Sequence, residues 1–219
     1  MKHLLLCLLL LPSSRGIAAT YPTSDTDCDG YPQVQVGTQT DTCLGLVTES
    51  SAVLNWRKPR RIVQIPDTQQ FVVTDMGGWT RGRGKVWLLD TSTQPLTASV
   101  LLDGLKLPHG LAIGPEGNIY IGETDRIFRF TLASKQAINI ETVVSRLPDF
   151  KSHSHPLTHF IFDQDNNLIV NVGAPSDQCQ EDKRHVYCAS VNATPNTHAA
   201  IRRYPYIKEA NLWLALLLR

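Results

Sequence analysis

At 219 residues and 42% hydrophobic side chains, the chain can bury a core in one or two domains. Its 21 Lys and Arg against 20 Asp and Glu leave a formal charge of +1. So small a charge provides no field for holding nucleic acid or an anionic membrane.

Residues 1–19 read as a secretory signal peptide. Lys2 and His3 form a basic start, residues 4–11 are apolar apart from Cys7, and Gly16-Ile17-Ala18-Ala19 offers small residues for cleavage. The apolar run is too short to span a bilayer. The expected location is therefore secreted or periplasmic, with no membrane span. Removing the leader leaves four cysteines, and an even number in an exported chain favours disulfides. Proximity pairs Cys28 with Cys43 and Cys179 with Cys188. No C-x-x-C pair is present, so a zinc site carries little weight. Asn192-Ala193-Thr194 is a glycosylation sequon, which matters only in a eukaryotic source.

Residues 20–58 are polar and turn-rich and read as an N-terminal arm. Val34 and Val36 alternate with polar neighbours, enough for one short strand. A hairpin pattern then recurs three times. Ile62 to Ile65 precedes Pro66-Asp67 and Phe71 to Val73. Gly110 to Ile113 precedes Gly114-Pro115-Glu116-Gly117 and Ile119 to Ile121. Phe160 to Phe162 precedes the polar turn 163–167 and the apolar run 168–172. The last residues before each turn, Ile65, Ile113 and Phe162, lie 48 and 49 residues apart. Strand-turn-strand units at this interval are the sequence sign of β-propeller blades. The fold expected is all-β, a partial six-bladed propeller with about three four-stranded blades over residues 59–207, followed by an apolar tail, 208–219.

In the first blade, strands are expected at 61–65, 71–75, 85–89 and 99–102. Between the second and third lies a loop with four glycines, Trp79, Arg81 and Arg83. Its glycines would let backbone approach a ligand whose carboxylate the arginines could hold; the commoner alternative, and the one expected, is a flexible turn with Trp79 folded onto the blade. The second blade reads as strands at 110–113, 119–122, 126–130 and 141–144. His109 enters its first strand and is aligned with His155 of the next blade, as a channel-lining residue or a hydrogen-bonded structural one. Glu123 and Asp125 could bind a cation but are more commonly surface carboxylates. The third blade opens with His153, His155 and His159 around Pro156. A histidine at a strand mouth is held by the scaffold yet open to solvent, which suits a proton acceptor. After Gly173 comes a long loop, and loops of that length in a compact domain usually serve function. The end of the chain, from Pro205, could be the outer strand of the third blade or an amphipathic tail.

Three stretches carry a resemblance: DMGGWTRGRGKVWLLD from Asp75, PHGLAIGPEGNIYIGETDRIFRF from Pro108, and HPLTHFIFDQDNNLIVNVGAPSDQC from His155, followed by AAIRRY. The chain resembles the pyrroloquinoline-quinone (PQQ) dependent sugar dehydrogenases of the glucose/sorbosone type over about residues 28–207. That resemblance implies a six-bladed propeller, PQQ over the central channel beside calcium, and hydride transfer from a sugar or polyol hydroxyl carbon to the quinone. It places the proton-accepting histidine at His155 and a quinone contact near Gln178. The electron acceptor is left open, and no metal ligand is assigned within the chain.

Departures accompany the likeness. Ser154 stands where the glucose-type members have an acidic residue, and an ungapped count for the glutamine falls on Cys179, one place beyond Gln178. The family's calcium ligands and further quinone contacts would fall beyond Arg219. The expectation is therefore a part-propeller that binds PQQ poorly by itself. Two other readings compete: a non-catalytic propeller fragment that binds a partner across an open blade face, and a calcium-dependent propeller lactonase. The histidines His109 and His155 at channel-side positions count against the lactonase.

Overall fold

A computed structural model of the chain describes residues 22–49, 54–148, 158–173, 200–207 and 212–213. The leader, His153, His155, Gln178, Cys179, Cys188 and Asn192 lie outside the described residues. The chain divides into two compact units, with the boundary between Val53 and Leu54.

In the first unit, β1 (Thr23–Cys28) and β2 (Tyr31–Val34) form an antiparallel hairpin. Asp29 and Gly30 turn it at positive φ, and Asp27 Oδ1 accepts the Gly30 N–H at 2.8 Å. Cys28 is bonded to Cys43, as proximity predicts. The arm thus holds two strands where one was expected. Val34, but not Val36, is in the second of them.

The second unit is all-β among its described residues. Its first sheet is a four-stranded antiparallel meander: β3 (Pro59–Gln64), β4 (Gln70–Asp75), β5 (Gly84–Asp90) and β6 (Thr97–Leu105). The second repeats it with β7 (Gly110–Ile113), β8 (Ile119–Gly122), β9 (Ile127–Ala133) and β10 (Gln136–Val144). The third has β11 (Thr158–Phe162), β12 (Leu168–Val172) and β13 (Ala200–Tyr204).

The sheets stack face on face because their central strands are apolar on both sides. In β8, Ile119 and Ile121 point to the first sheet, where they meet Val72, Val86 and Leu88. Tyr120, between them, points the other way and joins Ile127 and Val144 against Phe160, Leu168 and Val170 of the third sheet. A period of two with apolar residues at every position gives a strand buried on both faces. Tyr120 and Phe162 meet edge to face at 4.9 Å, a favourable aromatic geometry. A Cβ on Gly114 would lie 2.4 Å from the Tyr120 ring, so that contact needs glycine. The alternate residues of the first sheet, Val73, Trp87 and Leu89, are covered by Leu54, with Trp56 packed alongside. Residues 54–58 therefore belong with the sheets, not with the arm that was expected to run to 58.

Pairing corrects two alignments. Gln64 pairs with Phe71, Ile113 with Ile119 and Phe162 with Leu168, so Gln64 and not Ile65 is the equivalent residue, and both intervals become 49. The first turn is one residue longer, beginning with Ile65, whose N–H donates to Gln70 O. His109 is likewise aligned with Thr158, not with His155: His109 precedes the Gly110–Gly122 pair and Thr158 precedes the equivalent His159–Asn171 pair. At the far end, β14 (Tyr206–Ile207) pairs with β15 (Leu212–Trp213) in a sheet of their own, so this segment is not the outer strand of the third sheet.

Candidate functional site at the inner strand ends

The first strands of the three sheets are neighbours, with β7 lying against both β3 and β11. This brings the entry residues of three successive blades to one place. Two buried carboxylates fix those entries. Asp75, the last residue of β4, is 1% exposed and accepts the main-chain N–H groups of Lys58 at 2.7 Å, Gly77 at 3.0 Å and Arg57 at 3.2 Å. Glu123, just after β8, is also 1% exposed; it accepts the Lys106 N–H at 2.5 Å and pairs with the Arg126 guanidinium. Asp125 binds the Lys106 ammonium at 2.8 Å. Glu123 is therefore a structural anchor of the blade entry, and Asp125 makes a part-exposed ion pair. Glu123 is not the surface carboxylate expected, and its oxygens are already committed to donors.

A β-bulge opens β3: Pro59 pairs with Asp75 and Arg61 with Thr74, leaving Arg60 as the extra residue. Bulges re-aim side chains and recur beside active sites. Here the charges of both arginines act on His109. Burial comes first in lowering its pKa, from 6.5 to about 4, with Arg60, His159 and Arg61 adding repulsion of the charged form. His159 is lowered too, by burial and then by Arg61. Both imidazoles are neutral near pH 7. His109 Nδ1 is buried with no hydrogen-bond partner among the described residues.

The glycine loop completes the corner. Gly77 sits at φ +67°, and a Cβ there would fall 1.9 Å from Arg83 O. Trp79 is 63% exposed, so it does not fold onto the blade as expected. Lys58 Nζ and Arg60 Cζ stand 5.0 and 5.6 Å from its ring centre, within cation–π range. A cleft lined by Trp56, Pro59, Arg60, Arg61, Ile62 and Val73 runs beside it.

The sequence pointed to His109 and Trp79 in this region. It missed Arg60, Arg61 and His159 as a group. The doublet Arg60-Arg61 at a strand mouth was the available signal, but the bulge at Arg60 has no signature of its own. His155 and Gln178 cannot be placed against these residues, since both fall outside the described ones. Among the described residues, no three His, Cys, Asp or Glu side chains gather as a metal site. Calcium does not fit what they provide. No helix among the described residues is long and apolar enough to cross a membrane. No family model matches the chain, and no curated protein is similar to it.

Proposed function

We propose that the chain is part of an exported, quinone-dependent sugar oxidoreductase. His155 takes the proton of a sugar hydroxyl as hydride leaves its carbon. The reading is supported most by one observation: three successive blade entries meet at the ends of β3, β7 and β11, with His109, His159 and two arginines together. PQQ, when bound, supplies the hydride acceptor. The chain's own part is to orient and to accept a proton. Asp75 and Glu123 hold the entry segments rigid, and pre-set geometry of this kind lowers the cost of reaching a reactive arrangement. Arg60 and Arg61 offer two-pronged donors to carboxylates. The imidazoles of His109 and His159, neutral near pH 7, can accept a hydrogen bond or a proton. In this reading calcium, the remaining quinone contacts and much of the PQQ affinity come from blades other than those described. Secretion or a periplasmic location is part of the same proposal, and the Cys28–Cys43 disulfide fits an oxidising compartment.

The test is sugar-dependent dye reduction by the product of the whole reading frame, with PQQ and calcium added. A rate that needs the quinone and is lost in His155→Ala is expected. A second reading, a non-catalytic part-propeller that binds a partner, is favoured by one feature. Ile161 and Ile201 are 53% and 79% exposed on the third sheet, on the face turned away from the second. Under that reading no sugar would be turned over.

A further inference from the structure

Lys58, Arg60 and Arg61 place three cations within four residues at the mouth of the first sheet. None has a carboxylate partner among the described residues. Asp75, paired with Pro59 between them, is buried, accepts three main-chain N–H groups and forms no ion pair with these side chains. Like charges gathered without a counter-charge repel, and an anion relieves that repulsion. The chain's formal charge of +1 makes this a local feature and not a broad field for a polyanion.

Trp79 adds a second requirement on the ligand. Its indole is 63% exposed with Lys58 and Arg60 over its ring, on a loop whose path Gly77 fixes. Arg60 Nε also rests 2.8 Å from the sulfur of buried Met76, which steadies the guanidinium. A rigid aromatic surface next to a held guanidinium suits a ring that has an apolar face and an acid group.

We propose that Lys58, Arg60 and Trp79, with Arg61 beside them, form a binding site for a sugar acid, a single pyranose ring bearing a carboxylate. The ring's C–H face lies on the part of the indole that the two cations leave exposed, and the carboxylate takes the two-pronged donors of Arg60 with Lys58 as a second cation. Calling this ligand the substrate rests on the oxidoreductase reading; its binding does not.

The experiment is calorimetric titration of the full chain with galacturonate, galactose, acetate and inorganic phosphate, at low and high salt, without quinone. Galacturonate is expected to bind at least ~10-fold tighter than galactose and than either small anion, and more weakly at high salt. Arg60→Ala and Trp79→Ala should each weaken it by roughly 10-fold. Both side chains are exposed, and unchanged circular dichroism would show that the variants fold. Equal binding of galactose, equal binding of acetate or phosphate, no binding at all, or no effect of either variant would overturn the site. Since no turnover is read, failure here leaves the oxidoreductase reading standing with neutral sugars, and failure of that reading leaves this site standing.

Discussion

Asp75 and Glu123 stand at the same position of successive blades, each one residue beyond the strand-two partner of the inner strand's mouth, 48 residues apart. Each is 1% exposed and each receives the main-chain N–H of a lysine, Lys58 or Lys106, from the segment that enters the blade. A buried carboxylate is tolerated only when donors replace the water it has lost. The pair therefore fixes where each inner strand begins, and with it the position of His109 and the two arginines. The third blade has Val172 at this place.

Replacing either anchor should be costly in proportion to the donors orphaned. Asp75→Ala leaves three main-chain N–H groups without their acceptor, and a loss of about 3 kcal/mol is expected. Asp75→Asn keeps one oxygen and should lose about 1–2 kcal/mol. Urea unfolding of the two variants gives both values. Asp75→Ala within a few tenths of a kcal/mol of the parent would show that the anchor is dispensable.

The titration of His109 follows from its setting. Its pKa is lowered to about 4 in the folded chain, against 6.5 in the unfolded one. Between those values the unfolded state binds the extra proton, so stability rises with pH there. The contribution is fully present above about 6.5, and it is lost as pH falls toward 4. Proton NMR of the imidazole should give a value near 4. Arg60→Ala should raise it, because one repelling charge is removed, though burial would keep it below the usual histidine value. A midpoint at the ordinary value would contradict the buried placement.

Gly77 and Gly82 both hold positive φ, +67° and +80°, but only Gly77 is crowded. Gly82→Ala should cost about 1–2 kcal/mol, the penalty of a left-handed backbone. Gly77→Ala adds a clash with Arg83 O and should cost clearly more. Thermal unfolding ranks them, and equal costs would mean that the loop can shift to admit the methyl.

Stacking of the sheets makes a comparison of core and face informative. Phe130 is fully buried between the first and second sheets. Phe130→Ala should destabilise by about 3–5 kcal/mol. Ile201, 79% exposed on the third sheet, should tolerate alanine within about 0.5 kcal/mol. A large loss at Ile201 would indicate that this face is covered in solution.

Much of this architecture was legible from the sequence. The turn residues and apolar runs located the three hairpins, and all of β7 and β8 was read to its ends. The outer strands were read short: β6 only at its apolar middle, 99–102, and β10 only at 141–144, its mostly exposed first half with Ile138 and Ile140 being missed. The one-residue error in the first hairpin came from its longer turn, which composition cannot reveal. Burial of Glu123 depends on Arg126 and on a main-chain donor seventeen residues earlier, Lys106, and neither makes the carboxylate look unusual in the sequence. The corner around Arg60 was hidden for a similar reason: a bulge is a matter of pairing, and Trp79 is bracketed by cations only once that bulge is formed.

The central claim is chemical, and one measurement addresses it: dye reduction by the whole reading-frame product, with PQQ, calcium and a sugar, comparing the parent with His155→Ala. Reduction that requires both quinone and sugar, and that falls by at least ~100-fold in the variant, is the predicted result. No quinone-dependent sugar oxidation, or an equal rate without His155, would contradict it.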